Sequence, residues 1–143
     1  MIFRILLLPT FVFLFCSIVT AQTGSVKIKV NGLKNSKGIL QIGLYNSEED
    51  FPQADKIFKG FYVEAEKDSV SYFIANIITG KYAIAVFYDE NENDKLDKKI
   101  FGIPKERYGF SNNKFGTFGP PDYNDISFTL VDNEIKKLII NLK

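Results

Sequence analysis

The chain has 143 residues, with 18 basic and 17 acidic side chains, one cysteine and no histidine. Nothing in this nearly neutral balance suggests a nucleic-acid partner, which would need a basic stripe. The lack of histidine excludes serine–histidine and cysteine–histidine catalysis, and also zinc sites built on imidazole. Any catalysis would depend on carboxylates, Tyr, Lys, Arg107 or a bound metal.

Residues 1–21 have the pattern of a signal peptide. Arg4 precedes an apolar run from Ile5 to Val19, and Val19-Thr20-Ala21 offers small residues to a signal peptidase. The run is shorter than the roughly 20 apolar residues of a spanning helix, although a retained anchor is the alternative. We expect export to the periplasm or the outside of the cell. Cleavage would leave a single domain, residues 22–143, with no transmembrane span and no cysteine.

The rest of the chain has the pattern of short strands separated by turns. Alternating apolar residues predict seven strands, at residues 26–30, 39–45, 61–65, 70–77, 81–88, 126–130 and 135–142. The fifth is apolar on both faces, which predicts a central strand covered on both sides. Ser47 to Asp50 is typical of a helix N-cap and first turn. The pattern predicts an all-β fold, a seven-stranded antiparallel β-sandwich.

One connection, residues 89–125, is much longer than the others and carries no convincing strand pattern. Connections of this length in a compact domain are usually functional or disordered. This one is too aromatic for disorder, so we expect an ordered loop packed by its own side chains. Its aromatic residues are Phe101, Tyr108, Phe110, Phe115, Phe118 and Tyr123.

The loop begins with an acidic segment, residues 89–97, which holds five carboxylates and two side-chain amides in nine residues. Oxygen ligands on alternate residues suit Ca²⁺. The segment is not an EF-hand, because Asp94 replaces the required Gly and Ile100 the required Glu. The alternatives are a solvated acidic turn and another metal. The expected Ca²⁺ ligands are Asp89, Asn91, Asn93, the backbone carbonyl of Lys95, and Asp97.

A second dense segment, residues 101–113, combines aromatic, glycine and charged residues. Glu106, Arg107, Tyr108 and Phe110 are the candidates for a ligand or partner surface, since aromatic residues and Arg commonly anchor partners. In the alternative, the segment caps the fold and Glu106 pairs with Arg107. A catalytic interpretation would use Glu106 with Asp89 or Asp97 as an acid–base pair.

Three blocks in the second half of the chain resemble a known bacterial family, the domain-of-unknown-function family 2141. They are residues 80–86 (GKYAIAV), 89–97 (DENENDKLD) and 101–111 (FGIPKERYGFS), and the similarity covers about Val26 to Leu142. The family usually has Gly in place of Asp94 and often a small residue in place of Arg107. The resemblance implies an exported envelope protein with no assigned activity. The strand entry at Gly80 is also similar to transthyretin-like and carboxypeptidase-regulatory-like sandwiches, which implies an immunoglobulin- or transthyretin-like arrangement.

Three functional hypotheses follow from these observations. The first is a non-enzymatic exported module in which Ca²⁺ orders the 89–125 loop and the aromatic residues meet an envelope polysaccharide or protein. The second is a hydrolase that uses Glu106 and the loop aspartates. The third is a purely structural module whose long loop only caps the core.

Overall fold

The computed structural model describes residues 21–34, 37–65 and 67–143, except for the side chain of Phe101. The predicted signal peptide, apart from Ala21, lies outside these residues. The strands are β1 (Thr23–Asn31), β2 (Gly38–Tyr45), β3 (Lys59–Ala65), β4 (Ser69–Ile78), β5 (Gly80–Asp89), β6 (Arg107–Phe110), β7 (Phe128–Leu130) and β8 (Ile135–Asn141). One short helix, α1, spans Tyr123–Ile126, and single 3-10 turns lie at Ala54–Lys56, Ile100–Gly102 and Ser111–Asn113. None of these helical segments is long and apolar enough to cross a membrane.

The strands form two sheets. The three-stranded sheet has the order β4-β1-β8, and the five-stranded sheet has the order β3-β2-β5, with β6 and β7 both pairing with β5. The all-β prediction is confirmed. Wholly antiparallel pairing is wrong, because β1 and β8 run parallel. Antiparallel neighbours can be joined by a hairpin, whereas a parallel pair needs a long crossover, which here contains all the strands from β2 to β7.

The described residues contain eight strands, so the predicted count of seven is wrong. The additional strand is β6, inside the connection that was expected to carry none. Its four residues alternate too briefly to give a sequence pattern, and pairing with β5 supplies its order. Ile126 belongs to α1 instead of a strand, and residues 48–52 form turns instead of a helix.

A hydrophobic core lies between the two sheets. It takes Val26, Ile28 and Val30 from one sheet, and the alternate residues of β2 and β5 from the other. A second cluster, around Tyr45 and Ala83, lies on the opposite face of the five-stranded sheet. The prediction that β5 is covered on both sides is therefore confirmed. All eight strands and both clusters lie within residues 22–143, so this segment contains the whole described fold.

Candidate functional site

The acidic segment begins where β5 ends, and the buried side chain of Asp89 anchors it. The Asp89 carboxylate accepts hydrogen bonds from the Gln41 side chain at 3.0 Å and from the backbone N–H groups of Asn93 and Asp94 at 3.2 and 2.8 Å. Asp94 has a φ of 61°, in the left-handed region that Gly favours and Asp tolerates. Asp89 therefore folds the segment back onto the strand from which it emerges.

Glu106 closes the base of the same loop from the other end. Its buried carboxylate accepts hydrogen bonds from the backbone N–H groups of Glu90, at 3.3 Å, and Asp97, at 3.0 Å. Desolvation raises the pKa of Glu106, the nearby charges of Asp89 and Asp97 raise it further, and the two N–H donors oppose the shift. Glu106 thus links the first and last turns of the acidic segment.

The expected Ca²⁺ ligands fall into two groups. The side-chain amides of Asn91 and Asn93 donate to the Asp97 carboxylate at 3.0 and 3.2 Å, while Asp89 bonds elsewhere. The Lys95 N–H donates to the side-chain oxygen of Asn93 at 2.9 Å. In the described part of the chain, no three Asp, Glu, His or Cys side chains are grouped as a metal site. Asn91, Asn93 and Asp97 would place oxygens around a cation only after both amides rotated.

The four residues of the expected ligand surface, Glu106, Arg107, Tyr108 and Phe110, do not form one surface. Arg107 donates through Nη1 to the Gly32 carbonyl at 2.6 Å, whereas Glu106 bonds to the acidic segment. The expected Glu106–Arg107 pair is therefore wrong, because successive residues at the start of a strand point in opposite directions. Tyr108 and Phe110 lie together on the outer face of the five-stranded sheet, with ring centroids 5.8 Å apart.

This outer face carries a groove. Leu40, Ile42 and Leu44 face the core, so Gln41 and Gly43, which alternate with them, face outward. The row across β3, β2 and β5 consists of three small residues, Gly60, Gly43 and Ala85. No long side chain projects from the middle of this face, so the face is concave there. The next row consists of larger side chains, Tyr62, Gln41, Phe87 and Tyr108.

Loops on both sides deepen this face into a groove of about 650 Å³. One wall comes from the end of the acidic segment and the residues that follow it before β6, with Leu96, Ile103 and Pro104. Another wall comes from the loop before α1, where Phe118 is fully exposed. The long connection is thus ordered over the sheet. Three of its aromatic residues, Tyr108, Phe110 and Phe118, line the groove, while Tyr108 and Phe110 also pack against Phe115.

The groove is apolar and carries no negative side chain. Among the described residues that line it, no Asp or Glu occurs, and the charged side chains are Lys98 and Lys143. Gln41 and Thr117 provide the main neutral polar groups besides the tyrosine hydroxyls. An amphipathic molecule with an acidic group has the complementary chemistry.

Ser111 is an important residue that the sequence reasoning did not identify as functional. Its buried hydroxyl accepts a hydrogen bond from the Ile84 N–H at 3.0 Å and donates to the Ile126 carbonyl. It therefore links β5 to α1 at the point where β6 ends and before β7 begins. The sequence did not identify Gln41 as functional either. Its partners, Asp89 and Asp94, are far away in the chain and come close to it only through the pairing of β2 with β5.

Comparison with known proteins gives one family. Residues 28–137 match the family described as "Uncharacterized protein conserved in bacteria (DUF2141)". The three sequence blocks that carried the resemblance lie inside this range. No curated protein and no solved structure matches the chain. Because the match covers most of the sequence, the chain belongs to this family of uncharacterized bacterial proteins.

Proposed function

We propose that this protein is a non-enzymatic, exported β-sandwich module that binds a small amphipathic anion in the groove on its five-stranded sheet. The observation that carries the proposal is the groove itself, of about 650 Å³, with aromatic and aliphatic walls and two lysines. This volume is within the range of small-molecule sites, roughly 300–1,000 Å³. A hydrocarbon or aromatic body would lie over Gly43 and Ala85, with its acidic group near Lys98 or Lys143.

The chemistry of the walls favours such a ligand over the envelope polysaccharide that the sequence suggested. A polysaccharide presents many hydroxyl groups, each of which needs a hydrogen-bond partner when it leaves water. The neutral polar side chains of the groove are few, chiefly Gln41 and Thr117. The apolar body of an amphipathic ligand has no hydrogen bonds to water to lose on entering, and it gains from the burial of its surface.

The hydrolase alternative receives less support. It requires at least two carboxylates converging on a concave pocket. Glu106 and Asp89 are buried, and both bond to backbone N–H groups of the acidic segment. Neither is among the described residues that line the groove. The arrangement suits anchoring of the loop that forms one wall.

Calcium binding by the acidic segment is a second, separate part of the proposal. Asn91, Asn93 and Asp97 already converge, with amide-to-carboxylate distances of 3.0 and 3.2 Å. Rotation of the two amides would turn this hydrogen-bonded group into three oxygen ligands, to which water and backbone carbonyls could add. Bound Ca²⁺ would then stiffen the wall that contains Leu96 and Lys98.

Filling the groove tests the main proposal. Ala85→Phe would place a ring on its half-buried floor, and we expect a fluorescent long-chain fatty acid to bind residues 22–143 at least tenfold more weakly. The matched control is Ala75→Phe, an exposed position on β4 in the other sheet. Equal affinities of the two variants, with both melting like the parent protein, would rule out the groove as the binding site.

A further inference from the structure

The outer face of the three-stranded sheet combines exposed lysines with exposed apolar side chains. Lys27 lies directly between Phe73 on β4 and Lys137 on β8, and Lys29 lies beside Ile139. Phe73 is 50% exposed and Ile139 is 58% exposed, although both are large apolar residues. Ile135, 57% exposed, continues the apolar margin along β8.

The positive charge of this face is not compensated. None of its three strands contains an acidic residue. Within the described residues, Lys27, Lys29 and Lys137 form no ion pair, while the nearby Glu134 pairs with Lys136 at 3.1 Å. Lys27 and Lys137 are direct neighbours across the parallel pair of β1 and β8, so their like charges repel each other. Local features that reduce the stability of a fold are expected mainly at functional sites, and this pair of lysines is such a feature.

We propose that this face docks onto the surface of an anionic lipid bilayer. Lysines near such a surface are attracted to the acidic headgroups. Phe73, Ile135 and Ile139 would enter the interfacial layer beside those headgroups, as apolar residues of peripheral proteins do. The inference does not depend on the groove, which lies on the opposite outer face.

Other occupants fit these observations less well. A second copy of the chain would bring the three lysines of one face against the three of its partner, so charge repulsion would oppose the contact. A soluble anionic polymer would satisfy the lysines but leave Phe73 and Ile139 in water. A bilayer surface meets both requirements at once, because acidic and apolar groups lie within a few ångströms of each other there.

Vesicle co-sedimentation of residues 22–143 tests the charged part of the face. We expect binding to vesicles with about 30% phosphatidylglycerol, little binding to pure phosphatidylcholine, and release by salt. Lys27→Gln/Lys137→Gln should weaken binding about 25-fold, at about fivefold per lysine. The control Lys99→Gln/Lys105→Gln makes the same change in net charge on exposed loop residues and should bind like the parent.

The apolar part of the face separates a bilayer from a soluble polyanion. Phe73→Ser and Ile139→Ser should each weaken vesicle binding several-fold, whereas Ile100→Ser, an exposed loop position, should not. Vesicle binding that ignores phosphatidylglycerol, or that falls equally in both lysine pairs, would overturn the proposal. Dextran sulfate binding as tightly as vesicles, with no effect of Phe73→Ser, would overturn it in favour of an anionic polymer.

Discussion

The outer faces of the two sheets differ in the size and charge of their side chains. The five-stranded sheet presents Gly60, Gly43 and Ala85 in one row, and the side chain of Ile57 comes within 3.2 Å of where a Gly43 Cβ would lie. The three-stranded sheet presents Lys27 and Phe73 as direct neighbours, and both are exposed. Small residues allow loops to pack closely against the face of a sheet, whereas long charged residues keep a face in contact with solvent.

The two faces also differ in what orders them. The loops over the five-stranded sheet are fixed by three buried polar side chains, Asp89, Glu106 and Ser111. The exposed face depends mainly on the backbone ladders of β4, β1 and β8, to which the Asn113 side chain adds hydrogen bonds with the backbone of Ile139 and Asn141. Substitutions at the three buried polar residues should therefore disturb the groove and leave the lysine face unchanged.

Asp89→Ala should have the largest effect. It would leave the N–H groups of Asn93 and Asp94 without their charged acceptor, and the side-chain amide of Gln41 with only its longer bond to Asp94. Because hydrogen bonds to a charged group are each worth about 1.5–3 kcal/mol, we expect the free energy of unfolding to fall by about 3 kcal/mol. Urea denaturation of residues 22–143 measures this change.

The exposed Asp55 supplies the control, since Asp55→Ala should stay within about 0.5 kcal/mol of the parent. Fatty-acid binding should weaken in Asp89→Ala because the wall with Leu96 and Lys98 loses its anchor, while vesicle binding persists. A similar loss of vesicle binding would show that the two faces are not independent.

Calcium should stabilise the acidic segment. Extracellular calcium sites bind at about 0.1–1 mM, so about 10 mM Ca²⁺ should add roughly 1.4–2.7 kcal/mol. The melting temperature should then rise by several degrees relative to EDTA. Asp97→Asn should abolish the rise while leaving the Asp89 anchor intact, and Asp55→Asn should not. An unchanged rise in Asp97→Asn would exclude the cluster of Asn91, Asn93 and Asp97 as the site.

Ser111→Ala should have a smaller but distinct effect. Removal of the hydroxyl leaves the buried Ile84 N–H without its acceptor, so we expect a loss of about 1.5 kcal/mol in the free energy of unfolding. Ser127, whose hydroxyl donates to Asn124 near the surface, provides the matched Ser→Ala control and should change little. Equal effects in the two variants would show that the link between β5 and α1 contributes no stability of its own.

The strands were predictable because their information is local. The alternation of Val26, Ile28 and Val30 specifies both a strand and its buried face. The partners of Asp89 and Ser111 were not predictable, because Gln41 and Ile84 reach them only through strand pairing and chain crossover. The sequence did locate Asp89, Glu106, Tyr108 and Phe110, but it could not separate residues that anchor a loop from residues that line the groove.

The pH dependence of stability isolates the anchoring role of Glu106. Burial raises the pKa of its carboxyl above the usual 4.5, so the folded protein holds this proton more tightly than the unfolded chain does. The associated stability is complete below about pH 4.5 and is lost as pH rises through the folded pKa. In Glu106→Gln the loss of stability with rising pH should disappear. The variant should also be less stable overall, because one of the two N–H groups that bond to Glu106, those of Glu90 and Asp97, loses its acceptor.

Glu134 provides the opposite control, since a bond from the Val131 N–H and the neighbouring Lys136 lower its pKa. Its contribution is present above the unfolded pKa and is lost as pH falls, so Glu134→Gln should change the slope in the other direction. Urea denaturation between about pH 4 and pH 7 measures both slopes. Identical slopes for the parent and Glu106→Gln would mean that Glu106 is hydrated in solution and does not hold the loop over the groove.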